Sequence, residues 1–267
     1  MKLYELQFAF LQYKKKETMI QLIRKVVNGL VFTVIISVTI HGQVVIAQQS
    51  TTKSSTKSGN GSVMTKEAQA ALTPKQSLQM LKDGNKRFSE DKLLKRNYSE
   101  EVKQTAKGQY PHSVILSCLD SRTSSELIFD QGMGSVFNAR VAGNFENTDI
   151  LGSMEFACKA AGAKLVLVVG HTNCGAIKGA CDNVQLGNLT NVIEQIKPAT
   201  EQVQNIEGER NSKNQNYVEA VAKENVLQTI RDIRKNSPIL TEMESKGEIM
   251  IVGGMYNLET GVVEFYN

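Results

Sequence analysis

The chain has 267 residues, of which 41% are hydrophobic and 22% are charged, and this composition suits one globular domain with an appended segment. Its formal net charge of +4 is small and is spread along the chain, so charge does not argue for binding to nucleic acid. Tryptophan is absent and aromatic residues make up only 6%, so no aromatic platform for stacking bases stands out. We therefore expect no nucleic-acid partner.

The first 47 residues have the features of an export segment. Basic residues precede an apolar run from Val26 to Ile40, and small or apolar residues precede Ala47. This order is typical of a secretory signal peptide that is cleaved after Ala47. The alternative is an uncleaved membrane anchor, although the apolar run is short for a membrane span. We expect an exported, periplasmic protein, with a secreted or membrane-anchored protein as alternatives, and membrane contact only through this segment if it is uncleaved.

A flexible linker is predicted for residues 48–72. The stretch from Gln48 to Ser62 is rich in serine, threonine, lysine and glycine and shows no hydrophobic periodicity. Such a composition buries too little apolar surface to offset the entropy of ordering. The folded domain is then expected over residues 73–267, and the translated chain starts at Met1 or at Met19.

Helices and strands are predicted to alternate through the folded domain. Helices are expected to begin at Thr73, at Ser99, at Asn147 or Thr148, near Leu189, near Tyr217 and at Ser237. Strands are expected at 113–117, 135–140, 164–170, 248–253 and, as an edge strand, 262–266. Continuous apolar strands that alternate with helices favour an α/β fold with a mostly parallel central sheet flanked by helices. Ligands bind such sheets beyond the carboxyl ends of the strands.

Metal-binding residue types follow two of these strands directly. Cys118 comes after the strand at 113–117, and His171 and Cys174 come after the strand at 164–170. Two thiolates and one imidazole form a ligand set that suits zinc. Three protein ligands leave a fourth position open, which is typical of a catalytic rather than a structural zinc site. A closed structural site would need a further donor, such as Cys158 or Cys181, and neither lies at a strand end.

Two charged residues close to Cys118 could assist such a metal ion. Asp120 can accept a hydrogen bond from a zinc-bound hydroxide nucleophile and orient it, and Arg122 can hold Asp120 through a bidentate pair. Taken singly, each cysteine could be an inert buried thiol, and His171 a structural histidine. The pair Asp120–Arg122 could likewise be an ordinary turn ion pair. The coincidence of all five residues at two strand ends favours the catalytic interpretation.

The sequence resembles the β-class carbonic anhydrases over most of the chain from Thr73 to the end. The segments CLDSR and HTNCG, in this order, are similar to the zinc motifs of that family. The strand KLVLVVGH, the segment VFNARVAGN and the C-terminal IVGGMYNLETGVVEF extend the resemblance. Two departures are Arg140-Val-Ala-Gly-Asn144 in place of Arg-Asn-Val-Ala-Asn, and Phe156 where some relatives have tyrosine.

The resemblance implies that Cys118, His171 and Cys174 bind one Zn²⁺ per chain. It also implies that Asp120 and Arg122 are a catalytic dyad. In some family members the aspartate moves onto the metal in a closed state, so Asp120 is also a candidate fourth ligand.

Two substrate-binding residues follow from the same resemblance. Gln109 is similar to a glutamine that reaches the active site, often across the dimer interface, and Phe137 to a residue of the apolar wall that receives carbon dioxide. On residue type alone, Gln109 could be a solvated loop residue and Phe137 plain core. The family fold has an N-terminal helical arm that wraps a partner, which implies a homodimer or homotetramer.

The implied reaction is the reversible hydration of carbon dioxide to bicarbonate and a proton. Two alternatives are hydrolysis of carbon disulfide or carbonyl sulfide at the same site, and a non-catalytic, zinc-stabilised scaffold protein. The sequence leaves open whether Cys158 and Cys181 are free or paired.

Overall fold

The structure is a computed structural model that describes residues 63–266. The predicted signal peptide and most of the predicted linker lie outside the described residues. Within residues 63–266, no helix combines the length and the apolar character that a membrane span needs.

The described residues form a sheet of five strands surrounded by helices. The strands are β1 (Ser113–Ser117), β2 (Val136–Arg140), β3 (Leu165–His171), β4 (Met250–Tyr256) and β5 (Val263–Tyr266). The helices are α1 (Lys66–Ala71), α2 (Pro74–Ser89), α3 (Tyr98–Thr105), α4 (Ser125–Ile128), α5 (Thr148–Glu155), α6 (Gly175–Cys181), α7 (Leu189–Gln202), α8 (Gln215–Asn236) and α9 (Pro238–Ser245).

The strand order is β2-β1-β3-β4-β5, with β1 to β4 parallel and β5 antiparallel to β4. In this register Ser117 lies opposite Arg140 on one side and Val169 on the other. The carboxyl ends of β1, β2 and β3 therefore meet at one edge of the sheet, which we call the carboxyl edge. The predicted architecture, a mostly parallel sheet flanked by helices, is confirmed.

Helices cover both faces of the sheet because its central strands are apolar on both sides. All residues of β1 and β3 are buried. On one face, Val114 and Leu116 pack in a cluster with residues of α5, α8 and α9. On the other face, Ile115 packs in a cluster with Leu78 and Leu81 of α2. Burial on two faces is typical of a parallel sheet and explains why these strands are continuous apolar runs.

The ordered part of the chain begins earlier than the sequence predicts. Helix α1 lies in the segment 48–72 that is assigned above to the linker, so that assignment is wrong for residues 66–71. The Thr65 side chain caps the helix by accepting a hydrogen bond from the backbone of Ala68. The Gln69 side chain then donates to the carbonyls of Pro111, at 2.7 Å, and Ala161, at 2.8 Å. These contacts tie α1 to the domain in a way that local composition does not reveal.

Helix α5 begins where the sequence predicts and ends in an irregular turn. It is regular only to Glu155, and the chain continues as a single wide π-helical turn, Phe156–Ala160, before it leaves at Gly162 with φ +84°. Helix α6 was not predicted, because its glycines lower helix propensity. This short helix matters for the site, since it begins directly after Cys174.

Candidate metal centre at the carboxyl edge

Two loops at the carboxyl edge bring the predicted ligands together. Cys118 follows the last residue of β1, His171 is the last residue of β3, and Cys174 is the residue that precedes α6. Because β1 and β3 are neighbours in the sheet, their ends deliver these side chains to the same place. Cys118 and Cys174 belong to an apolar cluster that includes residues of α6, α7 and α8, so the site is shielded from water on that side.

The three side chains have the spacing of a metal site. Their ligand atoms all lie within 4.8 Å of one another, and all three residues are buried. The sulfurs of Cys118 and Cys174 are 3.9 Å apart. Two sulfurs bound to one tetrahedral zinc ion, each at ~2.3 Å, are separated by about 3.8 Å. The observed donor set therefore fits a zinc ion with little rearrangement.

His171 is oriented with one nitrogen free for a metal ion. Its Nδ1 lies 2.9 Å from the backbone carbonyl of Thr172, and this contact makes Nδ1 the protonated nitrogen. Its Nε2 is buried and has no hydrogen-bond partner among the described residues. A buried polar atom without a partner is unfavourable unless a ligand satisfies it, and a carbonyl contact on the opposite nitrogen is the usual support for a metal-binding histidine.

The pKa values of the two thiols are shifted in opposite directions. The contact with the Cys174 thiol lowers the pKa of Cys118 below its usual range, although burial acts in the opposite direction. The pKa of Cys174 is raised, because its proton is held by Cys118 and its surroundings are apolar. Two adjacent thiolates repel each other, and a dication between them removes that repulsion.

Asp120 and Arg122 form the predicted pair at the mouth of this cluster. The guanidinium of Arg122 donates from Nε to Oδ1 of Asp120 at 2.9 Å and from a terminal nitrogen to Oδ2 at 2.7 Å, and its backbone N–H also donates to Oδ1. These bonds hold the pKa of Asp120 well below its usual range. The Asp120 side chain is only 16% exposed, whereas Arg122 is 57% exposed. Asp120 is therefore an ionised acceptor that lies beside the candidate ligand His171 on the solvent side.

The position of Asp120 bears on the predicted closed state. Its Oδ2 lies 3.9 Å from Nε2 of His171, too far for a hydrogen bond, and both of its oxygens are held by Arg122. In this arrangement Asp120 lies beside the three candidate ligands and does not act as a fourth one. Its predicted role as a fourth ligand would require the Arg122 contacts to break, and it stays a prediction.

Arg140 and Thr123 support the loop that carries Cys118 and Asp120, and sequence reasoning missed both. Arg140, at the end of β2, donates to the backbone carbonyl of Cys118 at 3.0 Å and to that of Asp120 at 2.6 Å. The hydroxyl of Thr123 lies within 3.1 Å of the same two carbonyls. The one sequence signal for Arg140 is its place at the end of a predicted strand, since its partners are backbone atoms.

The structure does not bring Gln109 to the three ligands of its own chain. Gln109 is exposed and lies in the loop before β1, at the opposite, amino edge of the sheet. Phe137 is the half-buried second residue of β2 and makes an edge contact with the ring of Phe156, with a 6.2 Å separation of ring centres. The substrate-binding roles of both residues stay predictions.

Cys158 and Cys181 stand apart from the three-residue cluster. Both are free thiols, and burial raises the pKa of Cys158 to about 12 and that of Cys181 to about 11. Within the described residues neither joins Cys118, His171 and Cys174, so neither supplies a fourth, permanent ligand.

Comparison with known proteins agrees with this geometry. The model of the family described as carbonic anhydrase matches residues 113–263. Carbonic anhydrase 2 of Mycobacterium tuberculosis is 32% identical over 187 residues, which cover 68% of this chain and 87% of that protein. The crystal structure of the β-carbonic anhydrase CafA of Aspergillus fumigatus is similar with a TM-score of 0.56 and 25% identity, covering 72% of this chain and 90% of that one.

A further structural relative shares the fold at lower identity. One of two tetrameric β-carbonic anhydrases of Sordaria macrospora matches with a TM-score of 0.55 and 23% identity, over 63% of this chain and 90% of that chain.

These matches define the class. The chain belongs to the carbonic anhydrase family, and its fold is that of the β-class enzymes. It is accordingly an enzyme, a carbonic anhydrase, which removes the non-catalytic scaffold from the alternatives.

Proposed function

We propose that this enzyme holds one Zn²⁺ per chain with Cys118, His171 and Cys174 and interconverts carbon dioxide and bicarbonate. The observation that carries the proposal is the buried Nε2 of His171, which has no partner in residues 63–266 and lies beside two sulfurs 3.9 Å apart. The reaction combines carbon dioxide with water and yields bicarbonate and one proton.

The protein side chains have distinct tasks in this reaction. When bound, Zn²⁺ supplies the Lewis acidity that makes water nucleophilic near neutral pH. Asp120 accepts a hydrogen bond from the attacking oxygen and directs a lone pair of that oxygen towards the carbon of the substrate. Arg122 keeps Asp120 ionised and fixes its orientation through two parallel hydrogen bonds. An ionised carboxylate can only accept hydrogen bonds, so keeping Asp120 ionised fixes it as the acceptor that this step needs.

The test of this proposal is the Asp120→Asn variant of the full chain. The amide keeps the size of the side chain but changes its hydrogen bonding to Arg122 and to the attacking oxygen. We expect zinc content near one equivalent per chain, measured by elemental analysis, and hydration of carbon dioxide slowed by roughly 10²–10⁴-fold in a stopped-flow assay.

The matched control is Asp83→Asn, an aspartate on α2 that accepts a hydrogen bond from Gln79 away from the site. Its rate and zinc content should equal those of the wild type. Unchanged hydration by Asp120→Asn would refute the role given to this residue, and a wild-type chain without zinc would refute the metal site. Carbonyl sulfide and carbon disulfide, assayed in parallel, test the alternative substrates.

We further propose that the enzyme works as a homodimer or homotetramer in which Gln109 of one chain serves the site of another. Three observations support this arrangement. Gln109 is exposed and lies at the other edge of the sheet from its own metal ligands. Among residues 63–266, strand β2 has a partner strand on one side only, and the apolar residues Leu119, Leu127 and Phe156 are more than half exposed. Light scattering of the wild type measures the mass, and mixing Gln109→Ala chains with Cys118→Ser chains should restore activity if sites are shared.

We also propose that the chain is exported, with residues 1–47 as a signal peptide. The support is the order of basic, apolar and small residues before Ala47. Fractionation of a Gram-negative host that expresses the full chain, followed by mass measurement of the recovered protein, tests cleavage and location together. A full-length product in the cytoplasm would contradict both, and one in the membrane fraction would indicate the anchor.

A further inference from the structure

We propose that Asn225, on α8, is a positioning residue of the metal centre, because it fixes a turn whose backbone N–H donates to the sulfur of Cys118. The inference rests on the proposed zinc site and adds a residue from a distant helix to it. It concerns how strongly Cys118 can donate charge to the metal ion, and it can be examined without measuring catalysis.

The turn consists of residues 141–144, directly after β2. The backbone N–H of Asn144 donates to the carbonyl of Val141 at 3.0 Å, which closes a four-residue turn. Gly143, its third residue, has φ +80°, a value that favours glycine. A side-chain carbon at this position would also lie only 2.5 Å from Cδ1 of Ile196. Both the backbone conformation and the close packing therefore require glycine here.

This turn contacts the metal centre through its backbone. The N–H of Gly143 donates to Sγ of Cys118 across 3.4 Å, and the contact is buried. Sulfur is large and diffuse, so an N–H···S hydrogen bond is longer than one to oxygen. An N–H group directed at a metal-bound thiolate withdraws charge from the sulfur and leaves the metal ion more electron-poor. In a site with two thiolates this matters, because their charge weakens the Lewis acidity of zinc.

Asn225 holds the same residue from its other side. Its Nδ2 donates to the carbonyl of Gly143 at 2.7 Å, and the side chain is only 2% exposed. One helical turn later, Thr229 donates to the carbonyl of Asn225 at 2.8 Å and lies 3.4 Å from the carbonyl of Asn144. Helix α8 thus holds the carbonyl of Gly143 through Asn225, and the Thr229 hydroxyl lies next to the following carbonyl. Since the carbonyl and the N–H of Gly143 belong to one residue with a constrained backbone, holding the first directs the second.

A purely structural role is the competing explanation, because a buried amide that satisfies a buried carbonyl stabilises any fold. The two roles differ in what they change. A structural amide affects the free energy of unfolding, whereas a positioning amide also changes the electronic environment of the sulfur and the affinity for the metal ion. The discriminating measurement must therefore report on the metal–sulfur bond itself.

The experiment compares Asn225→Leu and Asn225→Asp with the wild-type chain after replacement of the native metal by Co²⁺. Leucine removes the donor at similar volume, and an ionised aspartate repels the carbonyl of Gly143. With the N–H···S contact weakened, the sulfur-to-cobalt absorption band should move to lower energy. Zinc affinity, measured by competition with a chelator, should fall roughly tenfold. The apparent pKa of the hydration rate should rise, while KM stays close to the wild-type value.

The control variant is Asn85→Leu. Asn85 is a buried amide on α2 that donates to the carbonyls of Ile128 and Gly261 and accepts from Val263, remote from the metal centre. It should lose stability, measured by thermal melting, but keep the cobalt spectrum and the zinc affinity of the wild type.

The outcomes separate failure of this inference from failure of the zinc site. A wild-type chain that binds neither Zn²⁺ nor Co²⁺ would overturn the proposed zinc site. A wild-type chain that binds metal, with folded Asn225 variants that share its cobalt spectrum and affinity, would overturn only the role of Asn225. If neither variant folds, NMR of the wild type loaded with a spin-active cadmium isotope decides. A coupling between cadmium and the Gly143 amide proton supports the N–H···S contact, and its absence refutes it.

Discussion

The two edges of the sheet each contain one buried histidine, and the two residues are held in opposite ways. His112, just before β1, is fully buried, and both of its ring nitrogens have side-chain partners: Ser77 at 2.7 Å and Gln131 at 3.1 Å. His171, at the end of β3, is 1% exposed and has a partner on one nitrogen only. Burial alone therefore does not identify a functional histidine.

The two histidines differ in which groups bind their ring nitrogens. At the amino edge the protein itself satisfies His112, through residues of α2 and of the loop after α4. At the carboxyl edge the protein orients His171 and leaves one nitrogen beside two sulfurs. A buried histidine that has one ring nitrogen without a hydrogen-bond partner, close to other potential ligands, indicates a metal site. A buried histidine with partners on both nitrogens indicates a structural role.

Replacement of His171 by alanine should have the largest effect. The variant loses the imidazole of the proposed zinc set, so we expect zinc content well below one equivalent per chain. Hydration of carbon dioxide should fall by roughly a thousandfold or more, which corresponds to about 4 kcal/mol of lost transition-state stabilisation. Elemental analysis and stopped-flow rates measure the two effects. Full zinc content in His171→Ala would contradict the metal-binding role that distinguishes His171 from His112.

The Arg122→Lys variant should have the next largest effect. Lysine keeps the charge but cannot form the two parallel hydrogen bonds to Asp120. We expect hydration to slow by roughly 10–100-fold with zinc retained.

The matched control is Arg234→Lys, which removes an equivalent bidentate pair with Glu244 far from the site. Equal rates in the two lysine variants would mean that the geometry of the pair with Asp120 has no catalytic value.

Loss of Arg140 should have a smaller effect on the same loop. In Arg140→Ala the carbonyls of Cys118 and Asp120 lose their guanidinium donor but keep the hydroxyl of Thr123. We expect a roughly tenfold loss of rate and a similar loss of zinc affinity. Arg231→Ala, which removes a guanidinium from the exposed side of α8, should leave both quantities unchanged. Wild-type zinc affinity in Arg140→Ala would show that Thr123 alone positions the loop.

At the amino edge, His112→Leu should affect stability and not chemistry. The substitution removes the ring partner of the Ser77 hydroxyl and of the Gln131 side-chain oxygen, while Ser77 keeps the backbone carbonyl of residue 112 and Gln131 keeps that of Phe129. We expect the free energy of unfolding to fall by about 1–3 kcal/mol. Denaturant titration measures this loss, while zinc content and hydration rate should match the wild type. A loss of zinc in this variant would contradict the division of roles between the two edges.

The smallest predicted effect is a pH dependence of stability due to His112. Burial lowers the pKa of this histidine below its usual value near 6.5. The unfolded chain then binds a proton at a pH where the folded chain does not, so stability is fully present above that value and is lost as the pH falls towards the folded pKa. The slope cannot exceed ~1.4 kcal/mol per pH unit.

The difference between wild type and His112→Leu isolates this contribution, because the two proteins share every other titrating group. A difference that is constant from pH 7 to about pH 5, a window that brackets the usual histidine value, would contradict it.

The central strands and the three candidate ligands could be predicted from the sequence. β1 and β3 are buried on both faces, so they appear as continuous apolar runs, and the candidate ligands stand at their carboxyl ends or shortly after them in the chain. Cys118, His171 and Cys174 were predicted as one group because neighbouring parallel strands end at the same edge.

The supporting contacts could not be predicted in the same way. Arg140 bonds to backbone carbonyls, and Asn225 acts on Cys118 through the backbone of Gly143. Backbone atoms are identical at every position, so such contacts leave no pattern of residue types. Helix α1 was missed for a related reason, since Gln69 binds carbonyls far away in the chain.

The adjacency of β1 and β3 has a consequence for the order of events during synthesis. Cys118 follows β1 and Cys174 follows β3. These strands can pair only after Leu165–His171 has been synthesised. Until then Cys118 has neither of its companions, so the full ligand set for the proposed zinc ion exists only after β3 has been synthesised and has paired with β1.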